Sequence, residues 1–236
     1  MQIASRQPLW DEGATKGTVL VVAASAASRT VQLTSGTRAA GSESIQIDWG
    51  DGTKQEVSSI SYLRHTYPSE REYKIKISDD LQSFGYTNGS DADAIRQMLK
   101  EIVSVGSKVT SVASNGFNNC RSMRGVINLP NVTSIGSYAF GSACGITDFM
   151  LPSMTRLVQT SFYYGPTASK MYCDNVTQID SEFWGYYGGR LVDLYIRNKT
   201  CQQIKSMSGF PFRAGAAVRF HGSDGIVTGD GRITLG

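Results

Sequence analysis

Few residues in this chain are of the kinds that do chemistry. Its 236 residues include two histidines, His65 and His221, and four cysteines, Cys120, Cys144, Cys173 and Cys201. No two cysteines form a C-x-x-C pair, so the close ligand spacings of a zinc site are missing. Asp48 and Asp51, in "IDWGDGTKQEV" at 45–55, offer a calcium reading. A hard cation wants six or more oxygens from a rigid loop, and two carboxylates in one hairpin fall short. Near the other end, "SDGIVTGDGRI" brings Asp224 and Asp230, six residues apart with few carboxylates between them. The chain has no G-x-S-x-G elbow and no Walker loop, and no G-x-G-x-x-G follows a strand. Glycosidase chemistry needs two carboxylates on facing walls, and nothing marks such a pair. The expectation is a protein that is not an enzyme and needs neither cofactor nor metal.

Composition sets the class. Hydrophobic residues make up 40% and charged residues 18%, which describes a globular chain rather low in charge. Glycine is frequent at 25 and proline scarce at 6, a mix that favours strands and turns over a helical bundle. A net charge of +3 is too mild to argue for nucleic acid or an anionic membrane. No apolar run is long enough to span a membrane. "TVLVVAASAAS", 18–28, is the nearest thing to a signal segment, but Asp11 and Glu12 stand where a basic region belongs. It reads better as a first strand and turn. No export signal is then visible, so the chain is either a trimmed form or delivered by another route.

The elements that would hold these residues come in two kinds. From 16 to 82 the chain runs in short alternating segments: "TVLVVAA", "RTVQLTSG", "SIQIDWGDG" and "YLRHTYPSEREYKIKIS". Ile45, Ile47 and Trp49 share one face, as do Tyr73, Ile75 and Ile77. Such a run predicts a β-sandwich. In "WGDGT", Gly50 and Gly52 take positive φ at no steric cost and Asp51 can bond nearby amides, which makes a hairpin. "IDWGDGT", then "HTY", then "EYKIKIS" resembles a PKD-type domain, an immunoglobulin-like sandwich. The usual pattern is departed from twice: Asp48 and Trp49 directly precede Gly50, and Glu72 replaces the glycine before Tyr73. The resemblance implies that Trp49, Asp51, His65 and Tyr67 shape the fold and do no chemistry.

Residues 83–106 are expected to be a linker and a capping helix. Ile95, Met98, Leu99 and Ile102 recur at helical spacing, Asp91 or Asp93 offers an N-cap and Gly106 a stop.

Residues 107–236 repeat. "KVTSVASNGFNNC", "NVTSIGSYAFGSAC", "SMTRLVQTSFYYG" and "NVTQIDSEFWGYY" align on Val109, Val132, Met154 and Val176, at spacings of 23, 22 and 22. Val112, Ile135, Leu157 and Ile179 form a second column, and Phe117, Phe140, Phe162 and Trp184 a third. A fixed period of this length means a solenoid whose stacked units share one core. The pattern V-T-x-I-G-x-x-A-F-x-x-C with a following L-P resembles the BspA-like leucine-rich repeat. The resemblance implies a buried phenylalanine column and a face of parallel sheet near each "LP". Cys120 and Cys144 sit at matching points after the phenylalanine and read as small buried thiols. The irregular end, from Asn198 on, reads as a C-terminal cap with a short helix at Thr200–Met207, a strand at Ala217–His221 and a closing hairpin.

What remains is surface. If Leu151, Cys173, Ile196 and Phe220 point inward, then Met150, Tyr172, Tyr195 and Arg219 form one exposed row, with Asp148, Lys170 and Asp193 beside it. Aromatics with an arginine and acids suit a protein or a sugar ligand. The resemblance implies a secreted or cell-surface bacterial protein that adheres to a host or bacterial surface protein or glycan. A component of a phage particle is the alternative, which the missing export signal favours.

Overall fold

Most apolar runs of the first third become strands. The computed structural model describes residues 17–88, 91–142, 145–158, 160–162, 168–180, 183, 193–208, 210 and 218–236. The N-terminal strands are β1 (Thr18–Ala23), β2 (Thr30–Arg38), β3 (Ile45–Asp48), β4 (Lys54–Val57), β5 (Ile60–Thr66), β6 (Glu72–Ile77) and β7 (Leu81–Gly85). One turn of helix, α1 (Asp93–Arg96), leads to β8 (Leu99–Ser104). These strands build two layers. One sheet runs β4-β3-β6-β1-β8, all antiparallel, and β5-β2-β7 belong to the other. β1 is central and nearly all buried, which is why it reads as an unbroken apolar run.

The "WGDGT" hairpin is a knot of side chains. Gly50 has φ +83° and its Cα faces the carbonyl of Lys74, where an added Cβ would stand 2.5 Å from the oxygen. Asp51 accepts from the Thr53 amide (3.0 Å) and hydroxyl (2.6 Å) through Oδ1, while its Oδ2 meets His65 Nε2 at 2.7 Å. His65 stacks on Trp49 at 4.7 Å and meets Tyr67 edge-on at 4.9 Å. Tyr67 donates its hydroxyl to the Trp49 carbonyl (3.1 Å) and stacks on Tyr73. Trp49, Asp51, His65 and Tyr67 thus tie one hairpin to the strands beneath it. Burial opposes ionisation of Asp51, but the Thr53 and His65 bonds outweigh it and hold its pKa at about 2.

The acid dependence follows. A carboxylate whose folded pKa lies below its unfolded value near 4 contributes stability above about pH 4 and loses it as pH falls toward about 2. Chemical denaturation of wild type and Asp51→Asn at pH 7, 4 and 2.5 should show a gap between them that narrows in the acid. A constant gap would mean that the carboxylate charge is not what stabilises the hairpin.

The helix expected through Ile102 is corrected. Only Asp93–Arg96 is helical, and Leu99–Ser104 is a strand on the free edge of β1. The helical spacing misled because β8 is irregular. Its pairing with β1 shifts register twice, matching Leu20 with Ile102 and Val22 with Leu99. Bulges let residues three apart both face the core, and Leu99 and Ile102 are both buried. Ile102, Val103 and Val105 are β-branched, which suits the strand.

The repeats grow directly from these sheets. β9 (Ser111–Val112) pairs parallel with β7, matching Phe84 with Val112, and β11 (Ser134–Ile135) pairs with β9. On the other side the Arg124 amide donates to the Lys100 carbonyl of β8 at 2.9 Å, just before β10 (Gly125–Asn128). β7 and β8 therefore stand where a preceding solenoid turn would stand. Phe84 even meets Phe117 edge-on at 5.2 Å. The cover of the repeat end comes from the sheets, across the boundary expected near 106.

Two further turns each add one longer strand and one two-residue strand, and a third adds a longer strand. The longer ones are β12 (Ile146–Met150), β14 (Lys170–Tyr172) and β16 (Asp193–Tyr195); the short ones are β13 (Arg156–Leu157) and β15 (Gln178–Ile179). Phe117, Phe140 and Phe162 stack in one buried column at 5.2 and 5.9 Å, and Phe149 packs edge-on against the last two. Trp184 lies outside the described residues; Phe183, just before it, is buried. In the second and fourth repeats the "V-T" has a mechanism: the Thr133 amide and hydroxyl both donate to the Thr110 carbonyl, and those of Thr177 to the Thr155 carbonyl. Cys120, Cys173 and Cys201 are buried free thiols, and Cys144 lies outside the described residues.

After α2 (Cys201–Lys205), N-capped by Thr200 in a capping box with Gln203, come β17 (Arg219–His221), β18 (Gly225–Thr228) and β19 (Ile233–Leu235). The strand order β10-β12-β14-β16-β17-β18-β19 makes one seven-stranded sheet, parallel as far as β17 and antiparallel beyond. Buried residues from Leu20 to Val227 form one core.

Candidate binding face

Side chains alternate across this sheet. Phe149, Met171, Leu194 and Phe220 align and are fully buried, so the residues beside them in each strand face outward. Two outer rows result. Val126, Asp148, Lys170, Asp193 and Arg219 are in register in one; Asn128, Met150, Tyr172, Tyr195 and His221 are in register in the other.

The structure places Asp148, Lys170 and Asp193 in the first row and Met150, Tyr172 and Tyr195 in the second. Arg219 is corrected: it continues the Asp193 row, and His221 takes the place beside Tyr195. Successive strands are 22 and 23 residues apart along the face, but 26 separate Asp193 from Arg219. The longer last loop breaks the period that the expectation relied on. His221 was missed for the same reason; its place two residues after Arg219 on one strand face is the signal that could have found it. Val126 was missed although the "LP" spacing marks it: it stands three residues before Leu129-Pro130, as Asp148 stands three before Leu151-Pro152.

The second row is an aromatic ladder. Tyr172 stacks on Tyr195 at 4.6 Å and Tyr195 on His221 at 4.3 Å, the planes within 16° of parallel. Asp193 anchors it from the row beside. Its carboxylate is buried and takes a two-pronged bond from Arg219, Nε to Oδ1 at 2.7 Å and Nη2 to Oδ2 at 2.9 Å, and a third contact from His221 Nε2 at 2.6 Å. Burial would push the Asp193 pKa up, but the Arg219 and His221 bonds outweigh it and lower it. Since a carboxylate only accepts, His221 carries its proton on Nε2, which leaves Nδ1 outside this cluster. Burial, with Asp193 and Tyr172 beside it, raises the Tyr195 pKa. One turn away, Arg197 grips Asp174 through its amide and guanidinium, and the same guanidinium lies 5.7 Å from the Tyr172 ring centre.

This arrangement ties the strands β14, β16 and β17 together along the outer face. Burial pushes the thiols of Cys120 and Cys173 far up, which keeps them protonated and poorly nucleophilic. Among the described residues, no group of three or more His, Cys, Asp or Glu side chains could hold a metal ion. Asp224 accepts from the Cys201 amide at 2.6 Å, and Asp230 takes the Thr228 hydroxyl and pairs with Arg232, so both work inside the cap.

Regular parallel strands on one side, short strands on the other and a phenylalanine stack between them define the repeat. Residues 96–208 match the BspA type leucine rich repeat region, in six copies. The match begins within α1 and ends just after α2, so it takes in the strands that carry Asp148 through Tyr195. No curated protein and no solved structure matches the chain. BspA type repeats are typical of bacterial surface proteins that bind, and are generally non-catalytic. Among the described residues no helix is long and apolar enough to cross a membrane.

Proposed function

We propose that this chain is a binding protein of the bacterial cell surface, non-catalytic, which adheres to a host or bacterial partner through the outer face of its seven-stranded sheet. The Tyr172–Tyr195–His221 ladder carries the reading. The three rings stand in register beside a buried carboxylate that Arg219 and His221 both bond. Such pre-organisation lowers the entropy lost on binding, and tyrosine is enriched where interfaces hold tightly. We read residues 16–82 as a PKD-type, immunoglobulin-like sandwich that presents and covers the repeats. The Asp51–His65–Trp49–Tyr67 knot supports that reading, because it leaves those residues engaged with one another.

The test is a screen of the full chain against immobilised glycans and extracellular-matrix proteins, beside Tyr172→Ala/Tyr195→Ala. The double variant should bind at least about tenfold more weakly. Its melting point should fall by only a few degrees, since each stacked pair is worth about 0.5–1.5 kcal/mol. Unchanged binding by the double variant would remove the ladder from the site.

A further inference from the structure

The two ends of the outer face are not alike. At the β16–β17 end the charges are consumed, since Asp193, Arg219 and His221 bind one another. The ring faces are consumed too, because Tyr172, Tyr195 and His221 cover each other and present mainly edges. A sugar needs an open ring face to stack on, and the interior of the ladder offers none. The β10–β12–β14 end is the reverse. Asp148 and Lys170 are register partners on adjacent strands, yet among the described residues neither side chain makes an ion pair or hydrogen bond. Around them lie the two most exposed apolar side chains of this face, Val126 at 45% and Met150 at 41%. Val126 is the register partner of Asp148, and Met150 lies two residues beyond Asp148 on the same strand face.

We infer that the recognition patch of this face is the Val126–Asp148–Met150–Lys170 end, and that its occupant is a protein segment with an apolar side chain beside an adjoining base and acid. The inference rests on the binding role proposed above and locates its contact. The apolar residue covers Val126 and Met150, the base meets Asp148 and the acid meets Lys170. Adjacent strands lie about 4.8 Å apart, so the two charges must be neighbours on the partner. A polyanion would meet Asp148 and a polycation Lys170, and like charges placed opposite one another cost enough to reject both. The Asp193–Arg219–His221 cluster then stiffens the sheet beside the patch without meeting the partner.

The probe is a phage-displayed library of random linear peptides, selected on the immobilised full chain. Selected peptides should share an apolar residue next to an adjoining base and acid. Asp148→Lys and Lys170→Glu should each weaken them about tenfold or more, and Val126→Ser by less. The double reversal Asp148→Lys/Lys170→Glu, which preserves net charge, should select peptides with the two signs exchanged. Peptides of a single sign, or peptides indifferent to both reversals but weakened by Tyr172→Ala, would overturn the patch and leave the ladder as the site. No enrichment, or enriched peptides indifferent to every substitution on the face, would overturn the patch and leave the outer-face reading to the glycan and matrix-protein screen.

Discussion

Phe140→Ala should lower the stability of the chain by about 3–5 kcal/mol, the usual cost of emptying a buried phenylalanine site. Phe140 is fully buried and touches three other rings: Phe117 and Phe162 on the neighbouring turns of the column and Phe149 from the seven-stranded sheet. Its loss removes contacts in both layers at once. The void cannot close easily, because the Phe140 amide is held by the Ser161 carbonyl and the Phe117 amide by Ala139. The larger point is how the loss is distributed. One core runs from Leu20 to Val227, so urea melts followed at Trp49, with Trp10 and Trp184 replaced by phenylalanine, and by far-ultraviolet circular dichroism should move to lower denaturant together. Two separated transitions, with only the repeats weakened, would show that the halves fold independently.

Removal of residues 1–106 should have a still larger effect: the repeats should not fold alone. The first turn buries Val109, Val112 and Phe117. Phe84 of β7 and the β7–β9 pairing cover that turn on one side, and the Lys100 carbonyl of β8 satisfies the Arg124 amide on the other. Terminal solenoid units with an apolar outer end need a cap to stay soluble. The truncated chain should bind a hydrophobic dye, run as aggregate on gel filtration and lack a cooperative melt. A soluble monomer with a sharp transition would mean that the N-terminal sheets are a separate module.

How much of this was legible follows from where period and tertiary demand agree. The repeat was readable because successive turns bury the same kinds of residue in the same places: Val109, Val132, Met154 and Val176 in one column, Phe117, Phe140 and Phe162 in another. The hairpin was readable because Gly50 must be glycine against the Lys74 carbonyl and Asp51 must accept from Thr53. The β8 strand was not, because bulges gave Leu99 and Ile102 a helical spacing and only the free edge of β1 decides between the two readings. Arg219 and His221 were misplaced because the last loop is longer than the period, and strand register cannot be read across an insertion. The Asp193 cluster was illegible as chemistry for a different reason. Its members lie on two strands 26 residues apart, and nothing local in the sequence announces their contact.

The central claim is that partners meet the outer face of the seven-stranded sheet. Hydrogen–deuterium exchange of the full chain, with and without a binder from the surface screen, tests it most directly. The account predicts new protection in β12, β14 and β16 and no change in the hairpin around Trp49. Protection confined to the N-terminal sheets, with the repeat strands unaltered, would contradict it.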